Sequence, residues 1–244
     1  MSQAYAFFDV DGTLIRGKSM FAFHDFWYQR WTAPGSPIAL HEHEDILAIL
    51  SSLEESGVPR ELINRRYYEF FVGRSVSSVM RCAQAWAEEI IKQPGFFVES
   101  VLTRLEELRQ QRVEPVFVSG SFVELLGPIA KHLGVRYVLG TRLMHDGQKY
   151  NGRVEQPQTI GMGKRLVVER FLSEVGVSVC DCWAFGDDVS DVPMLETVGH
   201  AVAVIGDPAL ASIAAQRGWL SWKLEPAFVR AFEEEDRTLA DSKV

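Results

Sequence analysis

Apolar positions follow two regimes along the chain. Tyr5 to Val10 is a short apolar run ending in Asp-Val-Asp-Gly-Thr, which predicts a buried strand and a turn. From Ser19 to about Gln111 the pattern is helical, broken at Ala33-Pro-Gly-Ser-Pro37 and Gly57-Val58-Pro59, with Pro94-Gly95 before its last helix. Within it Val76, Val79, Met80, Ala83, Trp86, Ala87 and Ile90 recur at helical spacing, predicting a helix over 75–91; 96–111 predicts another. Beyond that, short apolar runs alternate with helical ones. Strands are predicted at 115–119, 136–140, 180–185 and 201–205. Helices are predicted at about 122–133, at 163–175, in a short segment after Gly186-Asp-Asp, and at 208–217. His145-Asp-Gly and Asn151-Gly within 143–154 predict a hairpin. Strands alternating with helices predict an α/β fold, a doubly wound parallel sheet covered on both faces. The helical stretch after the first strand is too long for a simple crossover. It reads as an inserted all-helical cap, with 1–16 and 96–244 as the core and 17–95 as the cap. The charge run Glu233-Glu-Glu-Asp236 reads as solvated.

Composition narrows the function. The 244 residues suit one large domain with an insertion, and 47% hydrophobic content excludes global disorder. Thirty-three acidic residues against 25 basic give a net charge of −8, which argues against a mainly electrostatic nucleic-acid binder. No apolar run is long enough to cross a bilayer. MSQAYAFFDVDGT has no basic segment followed by a long apolar one, so no membrane partner and a cytoplasmic location are expected. Three cysteines are too few for a disulfide framework. On the predicted strand Cys180 and Cys182 would share a face, as buried thiols rather than a metal or redox pair.

Ligands of an open parallel sheet sit at the carboxyl ends of its strands. Four polar clusters fall there: Asp9 and Asp11; Ser119, Gly120 and Ser121; Lys164 after a Gly-Met-Gly turn; and Asp187, Asp188 and Asp191. Each alone carries a bland reading as capping or solvation. All four in order read as one site.

Asp9-Val-Asp11-Gly12-Thr13 resembles the first motif of the haloacid-dehalogenase-like (HAD) hydrolases. Ser119 matches their second motif, Lys164 the third, and Gly186-Asp187-Asp188-Val189-Ser190-Asp191 the Gly-Asp-x-x-x-Asp form of the fourth. The resemblance is strongest to the phosphoserine-phosphatase-like branch, whose helical cap lies between motifs one and two. It implies a Rossmann-like core and a Mg²⁺-dependent phosphatase acting on a small phosphorylated metabolite. Asp9 would be the nucleophile and Asp11 the general acid and base. Gly12, Ser119, Gly120 and Lys164 would bind phosphate. Asp9, the backbone carbonyl of Asp11, and Asp187 would hold the metal, with Asp191 and Asp188 behind them.

Charge explains why such a site needs cations. A phosphate dianion about 4 Å from a carboxylate at an effective dielectric of ~20 meets roughly 8 kcal/mol of repulsion. Mg²⁺ suits an all-oxygen cage, and Lys164 adds a second positive charge. A phosphotransferase or mutase would share this nucleophile. A receiver-like signalling domain would share the acidic cluster and lysine, but not the cap or the second Asp of the first motif.

Substrate choice is expected to come from the cap. Phosphoserine phosphatases carry a Glu nine residues after the nucleophile to read the substrate's amine; here that position is Lys18. The exchange disfavours phosphoserine and favours further anionic or hydroxyl groups. Among Arg60, Arg65, Arg66 and Arg74, Arg74 follows a glycine at a helix break and is the preferred substrate contact. Phe21, Phe23, Phe26, Trp27, Tyr28 and Trp31 read as a packed cap core, with a substrate-facing wall as the alternative. His41-Glu-His43-Glu-Asp45 reads as a solvated segment, since two His at i and i+2 do not share a helix face.

Overall fold

The computed structural model describes residues 3–31 and 37–223, except for the side chains of residues 37–43, 205 and 223. Of the break expected at Ala33–Pro37, residues 33–36 lie outside what is described, as do the charge run at 233–236 and the side chains of His41 and His43, while Pro37 opens the next helix. Six parallel strands form one sheet: β1 (Ala4–Phe8), β2 (Val113–Phe122), β3 (Tyr137–Thr141), β6 (Trp183–Gly186), β7 (His200–Ile205) and β8 (Leu220–Lys223). Their order is β3-β2-β1-β6-β7-β8. A separate antiparallel hairpin, β4 (Leu143–His145) and β5 (Tyr150–Val154), occupies the predicted place.

The sheet is covered on both faces because its strands are apolar on both. Ala6, Phe8, Phe117, Phe185 and Val202 face one way and pack with α5 (Glu99–Gln110) and α6 (Val123–His132). Tyr5, Phe7, Val116, Val118 and Ala184 face the other way. They pack with α7 (Met162–Val175), α8 (Val192–Leu195) and α9 (Pro208–Arg217). Phe8 and Phe185 stack across the β1–β6 pair at 4.4 Å. This alternation on neighbouring strands fixes register, since a one-residue slip would exchange the two faces.

Between β1 and α5 lie α1 (Ser19–Phe26), a π-helical turn (Trp27–Trp31), α2 (Pro37–Glu55), α3 (Arg60–Glu69) and α4 (Val76–Ile90). Ser75 caps α4, its hydroxyl accepting from Ser78 N. Phe23, Trp27, Tyr28, Tyr67 and Phe71 are buried and continuous with the α5–α6 side of the sheet core. Phe21, by contrast, lines a cavity at the carboxyl end of the sheet. The two connections to these helices run side by side: Arg16 N donates to Phe96 O at 2.8 Å, and Val98 N to Leu14 O at 3.0 Å. Phe96 and Phe97 are therefore not helical, and α5 starts three residues later than the periodicity predicts.

Two further expectations need correction. The strand predicted from Cys180 starts at Trp183 instead, because Ser178 caps a one-turn 3-10 helix over Val179–Asp181. Cys180 is consequently exposed and Cys182 buried, and they do not share a strand face. The strand predicted to end at Ser119 continues to Phe122 through a register shift, and β8 has no counterpart among the predicted elements. No helix among the described residues is long and apolar enough to cross a membrane.

Candidate active site

β1 lies between β2 and β6, where the winding reverses, so its carboxyl end is the sheet's switch point. Asp9 leaves β1 there, buried, with its backbone N–H donating to Phe185 O at 2.9 Å. Gly12 turns the chain away with φ +91°. A Cβ at Gly12 would stand 2.2 Å from Asp187 Oδ2, so glycine is required by both backbone and space. Thr13 Oγ1 donates to Asp187 Oδ1 at 2.8 Å, tying the first loop to the fourth.

Lys164 enters from the first turn of α7. Gly163 allows that approach, since a Cβ there would overlap the Gln158 carbonyl. The ammonium is buried and bonds Asp9 Oδ1 and Asp191 Oδ1, the latter at 2.5 Å. Burial alone would lower its pKa, but Asp191 and Asp9 together raise it, favouring the charged ammonium. Asp191 Oδ2 accepts the backbone N–H groups of Asp187 and Asp188, both at 3.1 Å. Asp188 caps the following turn, accepting from Ser190 N at 2.8 Å, and pairs with Arg60 of α3 at 2.5 Å. Although burial works the other way, those partners hold the Asp188 carboxyl below its ordinary range.

Asp11 is held differently. Its Oδ1 accepts from Ser19 N, the first residue of α1, at 2.8 Å, and its Oδ2 from Ser121 Oγ at 2.7 Å. Ser119 Oγ accepts from Ser121 N at 3.0 Å, and Ser19 and Ser121 share a hydroxyl contact at 2.8 Å. The Gly120 carbonyl accepts from Tyr68 OH of α3. A side chain at Gly120 would press on Asn64 Nδ2 at 3.0 Å.

Oxygens of Asp9, Asp187 and Asp191 all lie within 4.8 Å of one another. Three carboxylates face one lysine, and the imbalance shows. Burial raises the Asp9 pKa well above normal despite Lys164, and burial with the Asp191 charge pushes Asp187 up to about 6. A compact, oxygen-only, net-negative donor set fits a hard divalent cation such as Mg²⁺.

A cavity of about 330 Å³ opens over this cluster. Asp9, Asp11, Ser119, Gly120, Lys164, Asp187, Asp188 and Asp191 all line it, and so does Lys18. Gly12 stands behind Asp187 instead. Arg74 is elsewhere: its guanidinium lies 3.9 Å from the Phe70 ring centroid and bonds Phe70 O and Tyr28 OH. The arginine that reaches the cavity is Arg60. Sequence reasoning also missed Ser19 and Asn64. Asn64 carried a signal, four residues after Arg60 on one helix face; Ser19 carried none.

A family model described as haloacid dehalogenase-like hydrolase matches residues 6–196. The chain belongs to the HAD hydrolases. Its relatives include a phosphoserine phosphatase of Mycobacterium tuberculosis, 30% identical over 226 residues, covering 88% of this chain and 69% of the relative. A probable phosphatase of the same organism is 28% identical over 214 residues, covering 88% and 73%. A substrate-bound phosphoserine phosphatase structure superposes with a TM-score of 0.65 at 17% identity, covering 96% of this chain and 99% of that one. A protein of unknown function from Bordetella pertussis Tohama I gives 0.79 at 23%, covering 92% and 100%. Structural likeness at such identities speaks for the fold alone. The family and its phosphatase members make this HAD chain a phosphoric monoester hydrolase.

Proposed function

We propose that this HAD phosphatase is Mg²⁺-dependent and hydrolyses a small phosphorylated metabolite through an aspartyl-phosphate on Asp9. The observation that carries the reading is the contrast between two carboxylates two residues apart. Asp9 is buried and fixed by Lys164, whereas Asp11 is partly open and held by Ser19 and Ser121. One is placed to attack and the other to exchange a proton with what enters and leaves.

An Asp9 carboxylate oxygen forms a bond to phosphorus as the ester P–O bond breaks, and the leaving alkoxide takes the Asp11 proton. Water then attacks the aspartyl-phosphate and gives a proton to Asp11, releasing phosphate and restoring both carboxyl groups. Lys164 holds Asp9 and offsets charge on the phosphoryl oxygens. Backbone N–H groups beyond Asp9 and around Ser119-Gly120, with the Ser119 hydroxyl, bind those oxygens. Asp9, Asp187 and the Asp11 carbonyl would hold Mg²⁺, which when bound supplies the charge neutralisation a dianionic ester needs. Both Asp191 oxygens are already engaged by Lys164 and by backbone N–H groups, which suits an orienting role.

Lys18 lines the cavity, and a cation there disfavours a substrate ammonium, which supports an ester other than phosphoserine. The test is Asp9→Asn, expected to keep the fold and lose more than ~10³ of the rate. Chelation should abolish wild-type turnover. Near-normal turnover by Asp9→Asn, or full activity without a divalent cation, would overturn the reading.

A further inference from the structure

The cavity has two unlike walls. Its floor is the acidic cluster with Lys164, and its roof is largely hydrocarbon. On α2, Leu47, Leu50, Ser51 and Glu54 follow helical spacing and line the cavity as one face. On α3, Arg60, Ile63 and Asn64 do the same. Met20 and Phe21 close it from α1, and Ile160 from beside Lys164.

We infer that the substrate is the monophosphate of an alcohol with an apolar body, seated against Met20, Phe21, Leu47, Leu50, Ile63 and Ile160. This rests on the phosphatase reading above. Three observations carry it. First, Phe21, Leu47 and Ile63 are half-buried, with Met20, Leu50 and Ile160 buried beside them, and such an apolar wall gains when covered by another apolar surface. A polar amino-acid ester would leave it wet. Second, the carboxylates of the floor offer little to a substrate ammonium. Asp9 and Asp191 bond Lys164, Asp187 bonds Thr13, Asp188 pairs with Arg60, and Asp11 accepts from Ser19 and Ser121. Glu54 on α2 is the remaining carboxylate of the lining, and Lys18 sets a positive charge against an ammonium there. Third, about 330 Å³ lies within the ~300–1,000 Å³ of sites that enclose organic ligands rather than a bare phosphate. Arg60 and Lys18 fit a hydroxyl or acidic group close to the phosphate end, with the apolar body beyond.

The experiment reads binding and turnover separately, on the wild-type protein with Mg²⁺. The n-alkylphosphonates from ethyl to octyl have no ester bond to hydrolyse, and calorimetry of their binding reads the roof alone. The matching n-alkyl phosphates are assayed for phosphate release beside O-phosphoserine. Kd should fall about fourfold per methylene, the equivalent of ~0.8 kcal/mol, until the cavity is full, and kcat/KM should rise in step. Ile63→Asn should flatten both slopes. A Kd independent of chain length, or tighter binding by 2-amino-3-phosphonopropionate than by the longer alkylphosphonates, would overturn the inference. Chain-length-dependent binding without hydrolysis of any ester would uphold the apolar subsite, overturn its assignment to a substrate, and overturn the catalytic proposal.

Discussion

Gly12→Ala tests whether the first and fourth loops form one mechanical unit. The new Cβ would lie 2.2 Å from Asp187 Oδ2, 2.8 Å from Cγ and 3.0 Å from Oδ1, so the whole carboxylate must move. Moving it breaks the 2.8 Å bond from Thr13, and a hydrogen bond to a charged group is worth ~1.5–3 kcal/mol. At φ +91° an alanine adds backbone strain of ~1–3 kcal/mol. Partial relaxation leaves an expected destabilisation of ~2–5 kcal/mol, a large share of a typical ~5–15 kcal/mol. Gly57→Ala is the control. Its φ is +69° with nothing within 4 Å of the new atom, so strain alone applies, ~1–2 kcal/mol. Urea unfolding measures both. Turnover at saturating Mg²⁺ should drop ~10²-fold or more in Gly12→Ala, as for a catalytic group misplaced by ~1 Å, and stay near wild type in Gly57→Ala. Equal destabilisation by the two variants with full activity in both would refute the coupling.

Ser121→Ala removes one of two hydrogen bonds that hold Asp11, so kcat should fall by ~10–100-fold and stability by ~1.5–3 kcal/mol; steady-state kinetics and urea unfolding check this. Lys18→Glu should raise kcat/KM for O-phosphoserine relative to alkyl phosphates, measured by competition between the two substrates. The metal-free protein should lose stability as pH rises. The folded Asp187 carboxyl, pushed up to about 6, is raised above its unfolded value, so its ionisation disfavours the fold. The loss should develop between ~pH 4 and ~pH 6 and reach ~2–3 kcal/mol, and urea melts in chelator across that range would show it.

The sequence exposed what depends on short-range pattern. Three of the four polar clusters follow or end an apolar run that announces a strand, and the fourth, Lys164, opens a predicted helix; parallel winding brings the three strand ends together. It did not expose what depends on the angle at which one helix faces another. Arg60 and Arg74 both belong to the helical segment, and a glycine before Arg74 made it look poised for contact. In the structure α3 turns Arg60, Ile63 and Asn64 towards the sheet, while Arg74 packs on Phe70. Ser19 reaches Asp11 through its backbone N–H, which carries no residue-type signal at all. The Cys180 strand failed for a local reason: Ser178 is a capping residue, and a capped turn uses the backbone that a strand would need.

The charge count of the site links its stability to its chemistry. Asp9, Asp187 and Asp191 are brought together by three different chain segments, counting the lysine that bonds two of them, and Lys164 offsets only one of their charges. The surplus is tolerated because the geometry around it is stiff: Gly12 leaves no room for rearrangement, Thr13 pins Asp187, and two backbone N–H groups pin Asp191. A softer site would turn a carboxylate towards water and lose both its strain and its affinity for cations. Any divalent ion that binds the native cluster and not the unfolded chain returns stability as RT ln(1 + [ion]/Kd), about 2.7 kcal/mol at a hundredfold excess over Kd. That gain is of the size that ionising Asp187 is expected to remove. The electrostatic cost within the cluster is thus comparable to what a bound cation would recover.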